Sequence, residues 1–132
     1  MTTPAVVLGL DMETDSGSWT PFWNGLVHGT PRMLGVLEEH EVPATCFFTG
    51  EGAQEHPEMV DYARERGFEI GCHALYHETV GDELFPIPGV KPLLPEEVPR
   101  RLKVATAWVA EAAGEQPVSF RSPRLWGSTA VV

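Results

Sequence analysis

The chain has 132 residues, 42% of them hydrophobic, a length that suits one domain with a real core. Nine Lys and Arg against 19 Asp and Glu give a formal charge of −10, which argues against nucleic acid as a partner, because such binding runs on clustered cations. No run approaches the roughly 18–20 apolar residues of a membrane span. Two cysteines, Cys46 and Cys72, are too few for a disulfide framework and read as buried free thiols.

The N-terminus, "MTTPAVVLGLD", carries no basic leader and points to a soluble, cytoplasmic chain. "AVVLGL" (5–10) is an unbroken apolar run ending at Asp11, the pattern of a strand buried on both faces. A loop rich in Gly, Ser and aromatics follows. Thr30 and Pro31 then predict a helix start, N-cap followed by N1 proline, for "RMLGVLEEH". "PATCFFTG" is a second β run, ended by Gly50. "HPEMVDYARERG" is a short helix that stops at Gly67. "FEIGC" is a third strand. A long proline-spaced loop leads to "PEEVPRRLKVATAWVAEAAG", where Val98, Leu102, Ala105, Val109 and Ala112 keep helical spacing and Gly114 is the stop. "VSFRSP" is a fourth strand. This alternation predicts a parallel sheet with crossover helices, whose strand carboxyl ends collect an active site.

Candidate chemistry lies at those ends. In "EIGCHALYHE", His73 and His77 stand four apart; on one helical turn both rings would share a side, about 5–6 Å apart at Cβ, which suits one metal ion. In "LDMETD", Asp11 at the strand lip reads as a general base. Glu13 points the same way if the chain stays extended and reads as the acidic ligand, with Asp15 in reserve. Arg121 closes the fourth strand, and its guanidinium suits a carboxylate partner. Thr49 closes strand two, Pro123 holds the turn after Arg121, and Trp126 has a flat face of the sort sugars stack on; Trp19 and Trp23 could line the same mouth. Cys72 alternates away from His73 and reads as core. Each feature also has a plain reading: a solvated acidic loop, an Arg paired to a helix carboxylate, a packing Trp.

Together, "LDMETD", "HALYH" and "RSP" resemble the three ordered motifs of the polysaccharide deacetylase superfamily, also called the NodB homology domain or carbohydrate esterase family 4. The segment "VLEEHEVPATCFFTGEGAQEHPEMVDYARERGFEIGCHALYHE" is similar to the family's run between its first two motifs. The DxE form of the first motif resembles the cytoplasmic branch, with peptidoglycan-deacetylase-like and allantoinase- or imidase-like members. The resemblance implies an α/β fold, a distorted parallel (β/α) barrel of which residues 1–132 hold about the first four strands. It implies a divalent ion, usually zinc, on Glu13, His73 and His77, with Asp11 as the base that takes a proton from the activated water and Arg121 orienting it. The implied reaction is hydrolysis of a non-peptide C–N bond, deacetylating an N-acetylated sugar or polysaccharide, or cleaving a small amide or cyclic imide.

The chain ends nine residues after the third motif, and later family motifs, including a His general acid, have no counterpart. A full barrel needs about 200 residues or more. Four strands leave an open sheet edge, so the expectation is a fragment, a truncated product, or a chain completed by association, a homo-oligomer included. An inactive homologue serving as a metal- or carbohydrate-binding module is the competing expectation, and an unrelated α/β module with a structural His pair is a third.

Overall fold

The computed structural model describes residues 5–129 and 131. Three strands, β1 (Gly9–Met12), β2 (Thr45–Phe48) and β3 (Glu69–Cys72), pair in parallel in the order β1-β2-β3. Helices fill the crossovers: a short turn α1 (Asp15–Ser18), a π-helical turn Gly25–Gly29 that runs into α2 (Thr30–Glu39), then α3 (Gly50–Glu55) and α4 (Pro57–Glu65). After β3 come α5 (Val98–Ala113) and a single 3-10 turn, Pro123–Leu125.

The register sorts the strand residues onto two faces. Leu10, Met12, Cys46, Phe48, Ile70 and Cys72 join the core with Leu34, Met59, Val60, Ala105 and Val109 from the helices. Burying side chains of this size contributes about 1.5–3 kcal/mol each. Gly9, Asp11, Thr45, Phe47, Glu69 and Gly71 share the opposite face through their pairing partners. That polar, glycine-bearing face is where the chemistry gathers. Both cysteines are free and buried, as expected, and burial pushes the Cys46 thiol up to about 12.

Several elements differ from the sequence expectation. The first strand begins at Gly9 and runs through Met12, while Val6 and Val7 are exposed at 94% and 85%, so the apolar run 5–10 is not a strand buried on both faces. Thr30 is not an N-cap: it has helical dihedrals (φ −56, ψ −47), because the π turn before it feeds directly into α2. The capping oxygens come from Asp15, whose Oδ1 accepts from Gly25 N–H at 2.7 Å and Oδ2 from Asn24 N–H at 3.2 Å. Gly50 starts α3 instead of merely ending β2, with Thr49 Oγ1 capping Gly52 N–H at 3.0 Å. A Cβ at Gly50 would press on Leu75 and on the backbone of Ala105, so this glycine lets α3 lie close against α5. The stops at Gly67 (φ +80) and Gly114 (φ +73) are left-handed, as the sequence predicts.

The expected fourth strand is reduced to one parallel bridge, Phe120 to Cys72, with N–H to O distances of 3.0 Å for both Cys72 to Ser119 and Arg121 to Cys72. That single bridge is enough to deliver Arg121 beside the end of β3. Among the described residues, no helix is long and apolar enough to cross a membrane.

Candidate metal centre

Asp11 stands on the polar face of β1, and Glu13 follows two residues on, just beyond the strand end, on the same side. His73 follows β3 directly and is anchored there by its N–H to Phe48 O at 2.8 Å. The loop from His73 to His77 is not a helical turn, contrary to the spacing argument. Ala74 (φ 63) and His77 (φ 57) are left-handed, and these two reversals fold the imidazoles towards each other, with ring centroids 5.0 Å apart. Such a conformation costs an ordinary L-residue about 1–2 kcal/mol, and strain of this kind concentrates at functional sites.

Glu13 Oε2 lies 3.4 Å from His73 Nε2 and 3.0 Å from His77 Nε2. His73 is 1% exposed, His77 9% and Glu13 13%. One ligand atom from each of the three falls within 4.8 Å of the others. Atoms bonded at about 2 Å to one tetrahedral ion stand roughly 3.3 Å apart, so the spacing fits a single small cation. The hydrogen bonding fits as well. Glu13 Oε2, His73 Nε2 and His77 Nδ1 are buried with no hydrogen-bond partner, although buried polar atoms nearly always have one. Burial raises the Glu13 carboxyl, but the imidazoles of His73 and His77 close beside it outweigh that and hold the group at about 2.

His73 is held by its other nitrogen. Its Nδ1 lies 2.7 Å from the main-chain carbonyl of Arg121, which can only accept, so Nδ1 carries a proton and Nε2, on the side of Glu13, is the nitrogen that could ligate. The same Arg121 donates from Nη1 to Asp11 Oδ1 at 2.8 Å, and its guanidinium lies over the Phe47 ring, 4.5 Å from the centroid. Asp11 Oδ2 is left 3.8 Å from His73 Nε2 and is 37% exposed. Asp11 therefore borders the cluster of Glu13, His73 and His77 without belonging to it. Asp15 lies outside the cluster: both its oxygens serve the helix that begins at Asn24.

The sequence matches the polysaccharide deacetylase family over residues 14–131. This chain belongs to the polysaccharide deacetylase family. It is 28% identical over 120 residues to a chitooligosaccharide deacetylase of Rhizobium leguminosarum bv. trifolii, covering 79% of this chain and 56% of that protein. It is 30% identical over 84 residues to a peptidoglycan-N-acetylmuramic acid deacetylase of Bacillus subtilis (strain 168), covering 52% and 32%. The chain thus spans about a third to just over half the length of these relatives. Its fold superposes on a family 4 carbohydrate esterase from Streptomyces lividans with a TM-score of 0.70 at 21% identity, covering 96% of this chain and 54% of that one.

Not every sequence candidate opens onto this cluster. Trp126 is 2% exposed and meets Phe85 edge-on at 5.2 Å, so it packs instead of offering a stacking face. Thr49, also 2% exposed, spends its hydroxyl on the α3 cap, and Pro123 is buried at the start of the 3-10 turn. Trp23 packs against His56 at 5.2 Å, whereas Trp19 is 61% exposed on the loop after β1. Two contributors escaped the sequence reading. A Cβ at Gly9 would fall on the Arg121 guanidinium, so the glycine makes its berth, and Phe47 is the ring beneath that guanidinium. The clue for Gly9 was its period-two spacing from Asp11.

Proposed function

We propose that this chain carries the metal site and general base of a hydrolase that removes the acetyl group from an N-acetylated sugar or polysaccharide, breaking a non-peptide C–N bond. The observation behind this reading is the convergence of Glu13, His73 and His77, whose ligand atoms lie within 4.8 Å, beside an Asp11 held from behind by Arg121. Those three residues would hold a divalent ion, and two imidazoles with one carboxylate suit zinc. Such an ion, when bound, acidifies water and polarises the acyl oxygen.

The chain's own groups supply the rest. Arg121 Nη1 ties up Asp11 Oδ1 at 2.8 Å, which leaves Oδ2, on the side of His73, free to accept a proton from the attacking water. The Arg121 carbonyl holds the His73 proton on Nδ1, so His73 Nε2 stays an electron-pair donor throughout. The names of the chitooligosaccharide and peptidoglycan deacetylase relatives support an N-acetylated carbohydrate over a small amide or cyclic imide.

The test is the metal content of the purified chain together with acetate release from an N-acetylated chito-oligosaccharide, with and without a chelator. Turnover that the chelator abolishes and zinc restores supports the reading. Asp11→Asn should keep the ion and lose turnover, whereas Glu13→Ala and His77→Ala should lose the ion. Metal without turnover would favour a binding module, and a chain that takes up no metal overturns the proposal.

A further inference from the structure

Resting on that metal-site reading, we infer that Glu78 is the positioning residue that holds the His73–His77 loop in its ligand-presenting shape. The loop is fastened on two sides. Its carbonyls are held by the start of α3: Gly50 N–H donates to Ala74 O and Glu51 N–H to Leu75 O, each at 2.9 Å. Its amides are held by one atom. Glu78 Oε2 accepts from Leu75 N–H at 3.1 Å and from Tyr76 N–H at 2.6 Å.

Those two amides lie between the left-handed residues Ala74 and His77, the reversals that aim both imidazoles at Glu13. A backbone strained at two ordinary residues persists only where its surroundings hold it. One oxygen accepting from both amides supplies that hold, and it needs the full reach of the side chain. From the far side, Arg124 Nη1 donates to His77 O at 3.2 Å and to Thr79 Oγ1 at 3.0 Å, so the chain leaving His77 is pinned as well. Glu78 Oε1 is buried and unpartnered, so only the other oxygen of this side chain does the fastening. No hydrogen bond or ion pair joins Glu78 to the side chain of His73 or His77; it acts on them through the backbone.

The experiment is zinc titration of the 132-residue chain by calorimetry, beside urea unfolding of the metal-free protein, for wild type, Glu78→Gln, Glu78→Asp and Glu78→Ala. Outer residues that orient metal ligands typically govern about 10–100-fold in affinity. Glu78→Gln keeps an oxygen at the same reach and should bind zinc within about threefold of wild type. Glu78→Asp keeps the charge but is one methylene too short to meet both amides, and should lose about 10-fold or more, as should Glu78→Ala. If Glu78→Ala does not fold, the Gln and Asp pair carries the comparison. Wild-type affinity in Glu78→Asp, or a loss in Glu78→Gln as large as in Glu78→Asp, overturns the inference. A wild type that binds no zinc fails the metal-site reading instead, and the two failures are distinct.

Discussion

Arg121 serves His73 and Asp11 with different atoms: its carbonyl accepts from His73 Nδ1 at 2.7 Å, while its guanidinium donates to Asp11 Oδ1 at 2.8 Å. A side-chain substitution removes only the second of these. Arg121→Ala should therefore keep zinc affinity within about threefold and lower kcat on the order of 100-fold, the scale of a misplaced general base. Calorimetry and steady-state kinetics on one preparation check this. Loss of metal together with activity would mean that the guanidinium supports the ligands too.

Gly9 gives a sharper version of the same test. An alanine methyl there would occupy the space of the Arg121 guanidinium and crowd the Phe47 ring, and the guanidinium, being the end of a flexible side chain, would yield first. Gly9→Ala should fold, retain zinc, and lose about 10-fold or more in kcat/KM by freeing Asp11. The double variant Gly9→Ala/Arg121→Ala should be no worse than Arg121→Ala alone, since both act through one contact. Additive losses would place the effect of Gly9 elsewhere.

The meeting of Asp11, Glu13, His73, His77 and Arg121 was legible in the sequence because parallel strands with crossover helices gather their carboxyl ends on one side, and each residue follows an apolar run. The path by which the imidazoles meet was not. Left-handed turns are usually announced by Gly or Asn, whereas here Ala74 and His77 adopt them in a loop held by Glu78 close by and by Gly50, Glu51 and Arg124 far off in sequence. The helix Gly50–Glu55 was hidden for a related reason: two glycines in six residues speak against a helix, and only packing on α5 explains the first. Trp126 meets Phe85 of the proline-spaced loop edge-on, a contact that no local pattern encodes.

Asp15 separates stability from chemistry. Its carboxylate caps the helix beginning at Asn24 through two backbone N–H groups and stands outside the ligand cluster. Asp15→Ala should cost about 1 kcal/mol of folding stability, seen as a fall of roughly 3–5 °C in Tm, and should leave zinc affinity unchanged within about threefold. A collapse in metal binding at unchanged Tm would return Asp15 to the list of candidate ligands.

Acid should expose the depressed carboxyl of Glu13. In the metal-free chain, burial raises this group, yet the adjoining imidazoles of His73 and His77 bring it from 4.5 to about 2. Between those two values the unfolded chain holds a proton on Glu13 that the folded chain does not, so stability increases with pH across that window. The contribution is fully present above 4.5 and is lost as the pH falls towards about 2. Glu13→Gln has no such proton to bind. The urea midpoint of wild type minus that of Glu13→Gln should shrink progressively as the pH falls from about 4.5 to about 3. A difference that stays constant or widens on acidification would mean that the imidazoles do not stabilise the ionised carboxylate, and with that the electrostatic case for a cation between them would fall.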